Sequence, residues 1–140
     1  MVGALEMKYP KIFIPGVPKP KGSWTPVQTR SGIKFRPASN ATARWCRRLT
    51  KELRARWVHA AILDGPVCCT LKFLLPRPKT VVRQRPIGRF EGDLDKHVRS
   101  ILDAATGIIY KDDSQVAEIH ATKHYTDGEC GVWIEVSTDM

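Results

Sequence analysis

The chain has 140 residues, enough for one domain with a single sizeable core, and its 42% hydrophobic and 26% charged content is that of an ordinary globular protein. No apolar run approaches the ~20 residues that cross a bilayer, and the opening MVGALEMKYPKIFIPG, with Glu6 early and no long apolar core, does not read as a secretion signal. A cytoplasmic protein is expected. The net charge of +9 is uneven: residues 1–90 hold 19 Lys/Arg against three Asp/Glu, and residues 91–140 hold four against eleven. A basic body suits a polyanion, because phosphate binding releases counterions; the acidic remainder is either a solvated surface or a holder of something positive.

In chain order, Lys11–Ile14 predicts a short strand stopped by Pro15-Gly16, and Val17–Pro26, with its prolines and lysines, an extended loop. After the Ser31-Gly32 turn, Ile33–Arg36 predicts another short strand. A helix is expected from Asn40, a good N-cap, to about Ala61, with Trp45, Leu49, Leu53 and Trp57 as its buried stripe. Arg44, Arg47, Arg48, Lys51 and Arg54 follow helical spacing on a different face with no acid among them but Glu52, which favours a phosphate-facing surface over a merely solvated one.

Asp64-Gly65-Pro66 turns the chain into a strand, Val67–Leu75, whose alternating Val67, Cys69, Leu71, Phe73 and Leu75 face a core. Cys68 and Cys69 then point to opposite faces. The four cysteines, Cys46, Cys68, Cys69 and Cys130, lack a C-x-x-C spacing, so reduced, mostly buried thiols are expected rather than zinc ligands. Residues 76–92, rich in Pro, Gly and Arg, predict a basic loop that stays mobile until DNA binds.

The clearest helix runs from Asp93, placed to cap it, to Gly107, placed to end it; Leu94, Val98, Ile101, Leu102 and Ala105 form its apolar stripe. Two strands follow, Val116–Tyr125 and Cys130–Ser137, around the hairpin-like Thr126-Asp127-Gly128-Glu129. In the last, Val132, Ile134 and Val136 face inward, Trp133 and Glu135 outward. His120 and His124 share a strand face with Glu118 and Thr122 and read as surface residues, not metal ligands. Helices between sheet strands make a compact α/β domain over residues 1–140.

Three acidic features close in sequence carry the chemistry: Asp93-Leu94-Asp95, Asp103, and Asp112-Asp113. Hydrolysing a phosphodiester at neutral pH needs charge neutralisation and an activated water, and carboxylates that hold Mg²⁺ provide both. Asp93 and Asp95 would lie at a helix N-terminus, whose dipole favours their ionised forms. The strand beginning at Asp112-Asp113 returns after that helix and is expected to bring its carboxylate beside them. Each element alone has a plainer explanation, as a cap, a turn or, for Arg99 and Asp103 four residues apart, an intrahelical ion pair. It is the set, in a protein built to attract phosphates, that points to a metal-dependent nuclease.

The run EGDLDKHVRSILDAATGIIYKDDSQV resembles the core signature of the RusA-type Holliday junction resolvases: D-x-D, a basic residue four positions on, L-D-A at the helix end, then D-D-x-Q-V. FIPGVPKPKGSWTP resembles that family's opening strand and Pro/Lys-rich loop. The resemblance covers most of the chain. It implies a mixed β-sheet packed by two main helices, a homodimer, and a Mg²⁺-dependent crossover junction endodeoxyribonuclease, with Mn²⁺ as a substitute, that makes paired symmetric nicks in branched, four-way-junction DNA during recombination and repair. Its metal-binding acids correspond to Asp93, Asp95 and Asp113, with Asp112 as a further candidate. Its catalytic lysine corresponds to Arg99, a departure: arginine neutralises a phosphate but is no general base at neutral pH. Lys96 stands where the family often has Asn, and Asp103 is assigned to orienting Arg99. Lys19, Lys21, Arg44, Arg47, Arg48, Lys51, Arg83, Arg85, Arg89 and Lys96 are the candidate DNA contacts. Two rival readings are a non-catalytic basic DNA-binding protein, with acids only in caps and turns, and a metal nuclease acting on other branched DNA, duplex or RNA.

Overall fold

The computed structural model describes residues 6–22, 25–36, 40–58, 60–88 and 91–139. Strands β1 (Glu6–Lys8) and β2 (Ile12–Pro15) come first, then β3 (Thr25–Thr29) and β4 (Gly32–Arg36), which pair only with each other. Helix α1 (Asn40–Arg56), β5 (Val67–Pro76), helix α2 (Leu94–Ala105), β6 (Val116–Thr126) and β7 (Gly131–Asp139) complete the chain. The main sheet is ordered β1-β7-β5-β6, with β2 also paired to β7. β5 and β6 are parallel, as the intervening α2 allows, and β5 and β7 antiparallel. The sheet is mixed and two helices pack on it, as expected.

Period-two alternation decides the core. Val67, Cys69, Leu71, Phe73 and Leu75 of β5 are each at most 4% exposed, and Val132, Ile134 and Val136 of β7 lie beside them on the same face. Trp45, Leu49 and Leu53 of α1 and Ile101 and Ala105 of α2 cover that face. Each such large side chain contributes about 1.5–3 kcal/mol by leaving water. Cys68 and Cys69 point to opposite faces, Cys69 being buried and Cys68 partly exposed beside Glu118, and all four cysteines are free.

Five expectations are corrected. α1 ends at Arg56 rather than near Ala61: the Trp57 ring packs on Tyr9 (centroids 4.9 Å) and donates to the Ala61 carbonyl, and the chain leaves helical geometry to lay Leu63 alongside Tyr110. The segment expected as loop up to Pro26 enters β3 at Thr25, and β1 precedes the first expected strand. β6 and β7 are not a hairpin but lie on either side of β5; the strand with the most apolar alternation takes the centre, and the 127–130 connection passes the end of β5 at Pro76. The buried side of α2 is His97, Ser100, Ile101, Ala104 and Ala105, while Leu94, Val98 and Leu102 are only partly covered. Two polar residues can occupy that face because each has a carbonyl partner there. Finally, the basic loop docks on β6: Tyr125 N–H donates to the Gln84 carbonyl (3.1 Å), Arg77 pairs with Asp127 (3.1 Å), and Arg83 reaches the Tyr125 hydroxyl (3.2 Å). Among the described residues no helix is long and apolar enough to cross a membrane.

Candidate active site

α2 begins at Asp93, whose extended backbone (φ −75°, ψ 141°) lets its carbonyl accept from the N–H groups of Lys96 and His97 (both 3.1 Å). Its side chain makes no cap bond, contrary to the expected capping role. The carboxylate is instead turned to solvent, 71% exposed and 3.5 Å from the Lys96 ammonium. Asp95, also exposed, stands in the first turn, where the free N–H groups and helix dipole favour a carboxylate.

The residues that aim this turn were not legible as a site. Gly92 holds φ +88°, and a Cβ there would lie 2.6 Å from Pro20 Cγ and 2.9 Å from His97 Nε2, so both conformation and space demand glycine. Fully buried His97 bonds the Glu91 carbonyl at 2.7 Å. A carbonyl only accepts, so Nε2 carries the proton and Nδ1, which has no partner, is the bare nitrogen. Burial lowers the His97 pKa, keeping the ring neutral. From β6, Lys123 donates to the Gly92 carbonyl (2.9 Å) and the Tyr125 hydroxyl donates to Glu91 Oε1. Glu91 Oε2 accepts from Gly88 N–H (2.8 Å).

The Pro/Lys loop lies along α2. Ser100 donates to the Lys19 carbonyl (2.9 Å), Lys21 N–H to the Lys96 carbonyl (3.0 Å), and Thr42 to the Pro20 carbonyl (3.5 Å). Lys21 ends 2.8 Å from Asp103. This corrects the partner expected for Asp103: the loop lysine takes the carboxylate, and exposed Arg99 makes no ion pair among the described residues.

After α2, buried Tyr110 anchors the return by donating to the Leu102 carbonyl (2.6 Å). Asp113–Gln115 is a single 3-10 turn before β6, closed by a capping box: Asp112 Oδ1 accepts from Ser114 N–H (2.9 Å), and the Gln115 side chain accepts from Asp112 N–H (3.0 Å). The Ser114 bond holds the Asp112 pKa below its ordinary value. Exposed Asp113 is raised, first by desolvation, then by a side-chain hydrogen bond with Asp112 and by the nearby charges of Asp112 and Asp103. Of the tandem pair, Asp112 is therefore committed to the turn.

Among the described residues no three His, Cys, Asp or Glu side chains lie close enough to hold a metal ion as they stand. The expected meeting of Asp113 with Asp93 and Asp95 is thus not a closed cluster; Asp93 turns to Lys96, and Asp113 feels like-charged neighbours. The donor chemistry still suits magnesium. All candidate ligands are accessible carboxylate oxygens, and Mg²⁺ takes one or two protein carboxylates while keeping several waters.

The basic residues separate into three groups. Lys19, Arg44 and Arg48 line a notch of about 280 Å³ between the loop and α1. Arg47, Lys51 and Arg54 line a wider groove with Cys46 and Thr50. Arg83 and Arg85 run beside β6, where Arg85 donates to the Lys123 carbonyl (3.5 Å). Arg89 lies outside the described residues. His120 and His124 sit on the outer face of β6, as expected, His120 being paired with Glu118 at 2.9 Å.

An α/β domain with a mixed sheet, exposed carboxylates at a helix start and basic surfaces elsewhere suits a polyanionic ligand. Residues 15–137 match the family model described as endodeoxyribonuclease RusA, and the chain belongs to that family. It is also 33% identical over 78 residues to "Uncharacterized protein YqaN" of Bacillus subtilis (strain 168), a match covering 47% of this chain and 54% of that protein, so about half the relative's length is spanned.

Proposed function

We propose that the protein is a magnesium-dependent, structure-selective DNA endonuclease that resolves four-way junctions as a homodimer, by paired symmetric nicks. The observation that carries this reading is the solvent-turned carboxylate pair, Asp93 and Asp95, at the start of α2 in a chain of the RusA family. Asp93, Asp95 and Asp113 would hold magnesium, which would supply charge neutralisation at the scissile phosphate and lower the pKa of a water beside it. Arg99, two turns from Asp93 and unpaired among the described residues, stabilises the charge that develops on the phosphate; its guanidinium stays protonated throughout and moves no proton. Lys96 screens the Asp93 carboxylate before substrate arrives. The three basic groups hold the phosphates of the flanking arms, which fixes register without reading sequence. Two copies related by a two-fold axis match the two-fold symmetry of the junction.

A non-catalytic DNA-binding protein is the second reading, favoured by two acids with structural duties: Asp112 in its cap and Asp103 in its ion pair. Cleavage of an end-labelled four-way junction and of linear duplex separates the two. Wild type and Asp95→Asn are compared with Mg²⁺ and with EDTA. The resolvase reading expects paired nicks at the junction from wild type with Mg²⁺ alone, and binding without cutting from the variant. Binding by both proteins with no cutting of branched, linear or RNA substrates would leave the binding module.

A further inference from the structure

Lys123 is a half-buried lysine with no role in the reading above. It lies on the helix-facing side of β6, in register with buried Phe73 of β5, whose ring is 5.3 Å from that of His97. Its ammonium donates to the Gly92 carbonyl at 2.9 Å and makes no ion pair among the described residues. The bond falls on the peptide joining Gly92 to Asp93.

That peptide has few other anchors. The Asp93 side chain makes no cap bond, and Gly92 is the least restrained residue type, held here at φ +88°. The segment is restrained from outside instead. His97 holds the Glu91 carbonyl from beneath, Pro20 abuts Gly92, and Tyr125 and Lys123, two residues apart on one face of β6, bind the Glu91 carboxylate and the Gly92 carbonyl. Among the described residues, only the Lys123 bond falls on the carbonyl of the peptide that leads into Asp93.

We infer that Lys123 is a positioning residue for Asp93: its bond to the Gly92 carbonyl fixes the first turn of α2 so that Asp93 and Asp95 present their carboxylates together to a divalent cation. The inference rests on the proposed metal-dependent reading and deepens it, assigning the positioning work to a residue of β6. Supporting hydrogen bonds behind metal ligands typically contribute 10- to 100-fold in affinity.

The test compares wild type with Lys123→Met, which keeps the bulk and loses the donor, and Lys123→Arg, which keeps donor and charge. Mn²⁺ binding is measured directly by electron paramagnetic resonance, alongside thermal melting, junction affinity in EDTA, and the Mg²⁺ dependence of cleavage. Lys123→Met is expected to weaken Mn²⁺ binding about tenfold or more, to raise the half-saturating Mg²⁺ concentration by a similar factor, and to leave junction affinity within about threefold; Lys123→Arg restores most of the loss. Wild-type Mn²⁺ affinity in a folded Lys123→Met overturns the inference while leaving the nuclease reading intact. Lost junction affinity with unchanged Mn²⁺ binding overturns it too, in favour of a phosphate contact. Absence of Mn²⁺ binding by wild type itself overturns the metal-dependent reading beneath it.

Discussion

The Lys21 ammonium lies 2.8 Å from the Asp103 carboxylate and ties the Pro/Lys loop to the last turn of α2. Three hydrogen bonds, to Lys19, Lys21 and Pro20, hold the rest of that loop, so one side of the basic notch is tied to α2 and, through Thr42, to α1. A phosphate seated on Lys19 is thereby referenced to the helix that carries Asp93 and Asp95. Asp103→Ala releases Lys21 without touching the candidate ligands. Both partners are partly exposed, so the stability loss is modest, about 0.5–1 kcal/mol. Urea titration checks it, and the loss shrinks at 1 M NaCl, where screening is strong.

Gly92→Ala is expected to be far more costly. The new Cβ meets Pro20 Cγ at 2.6 Å and His97 Nε2 at 2.9 Å, and neither partner sits on a free-swinging side chain. The φ of +88° adds backbone strain. Overpacking and strain together predict a loss of roughly 2–4 kcal/mol, read by urea unfolding. Gly65→Ala, where an added Cβ meets nothing within 4 Å, is the control and keeps near-wild-type stability.

What could be read from the sequence follows from the range of the interactions involved. The alternation of β5 and β7 and the start of α2 are local patterns, and they hold in the structure. Strand order is not local. Thr126–Glu129 has the composition of a hairpin turn, yet the strands around it are separated by β5, because the core makes the more apolar strand central. The face of α2 was misjudged for a related reason: His97 and Ser100 look like solvent residues until Glu91 and Lys19 bring their carbonyls to them. Asp103 likewise had a sequence neighbour in Arg99 and a spatial one in Lys21, and the spatial one takes it. That Asp93 and Asp95 stand at a helix start was legible from spacing. The support from Gly92, His97, Lys123 and Tyr125 was not, since it joins a helix start to a strand about thirty residues later.

His124 offers a pH-dependent readout of the loop beside β6. Its pKa is lowered below the ordinary histidine value by desolvation first, then by Arg85 and Lys72. A folded-state pKa below the unfolded one contributes no penalty above about pH 6.5, and stability is lost as pH falls from there through the lowered value. DNA phosphates on Arg85 would cancel part of that positive field and raise the pKa, so binding takes up a fraction of a proton as pH falls below about 6.5. NMR titration of the His124 ring, free and junction-bound, is expected to show the upward shift. Junction affinity between pH 7.5 and 6 then rises more in wild type than in His124→Gln. Equal pKa values in both states would remove Arg85 from the DNA-binding surface.

The tandem Asp112-Asp113 allows a sharp separation of structure from chemistry. Asp112 accepts the Ser114 N–H and closes the capping box, and its lowered pKa reflects that bond. Asp113 is exposed, hydrogen-bonds the Asp112 side chain, and is raised by desolvation first, then by Asp112 and Asp103. Asp112→Asn keeps an oxygen acceptor for Ser114 and is expected to melt near wild type and to cleave within a few-fold of its rate. Asp112→Ala lowers the melting temperature, because the Ser114 N–H loses its partner. Asp113→Asn leaves the melt unchanged but lowers Mg²⁺-dependent junction cleavage by about 100-fold or more, since a neutral amide is a poor ligand for a hard cation. Melting curves and single-turnover cleavage of one junction by the three variants decide the matter. If Asp112→Asn loses cleavage and Asp113→Asn does not, the ligand is the other member of the pair and the cap must open for it to act.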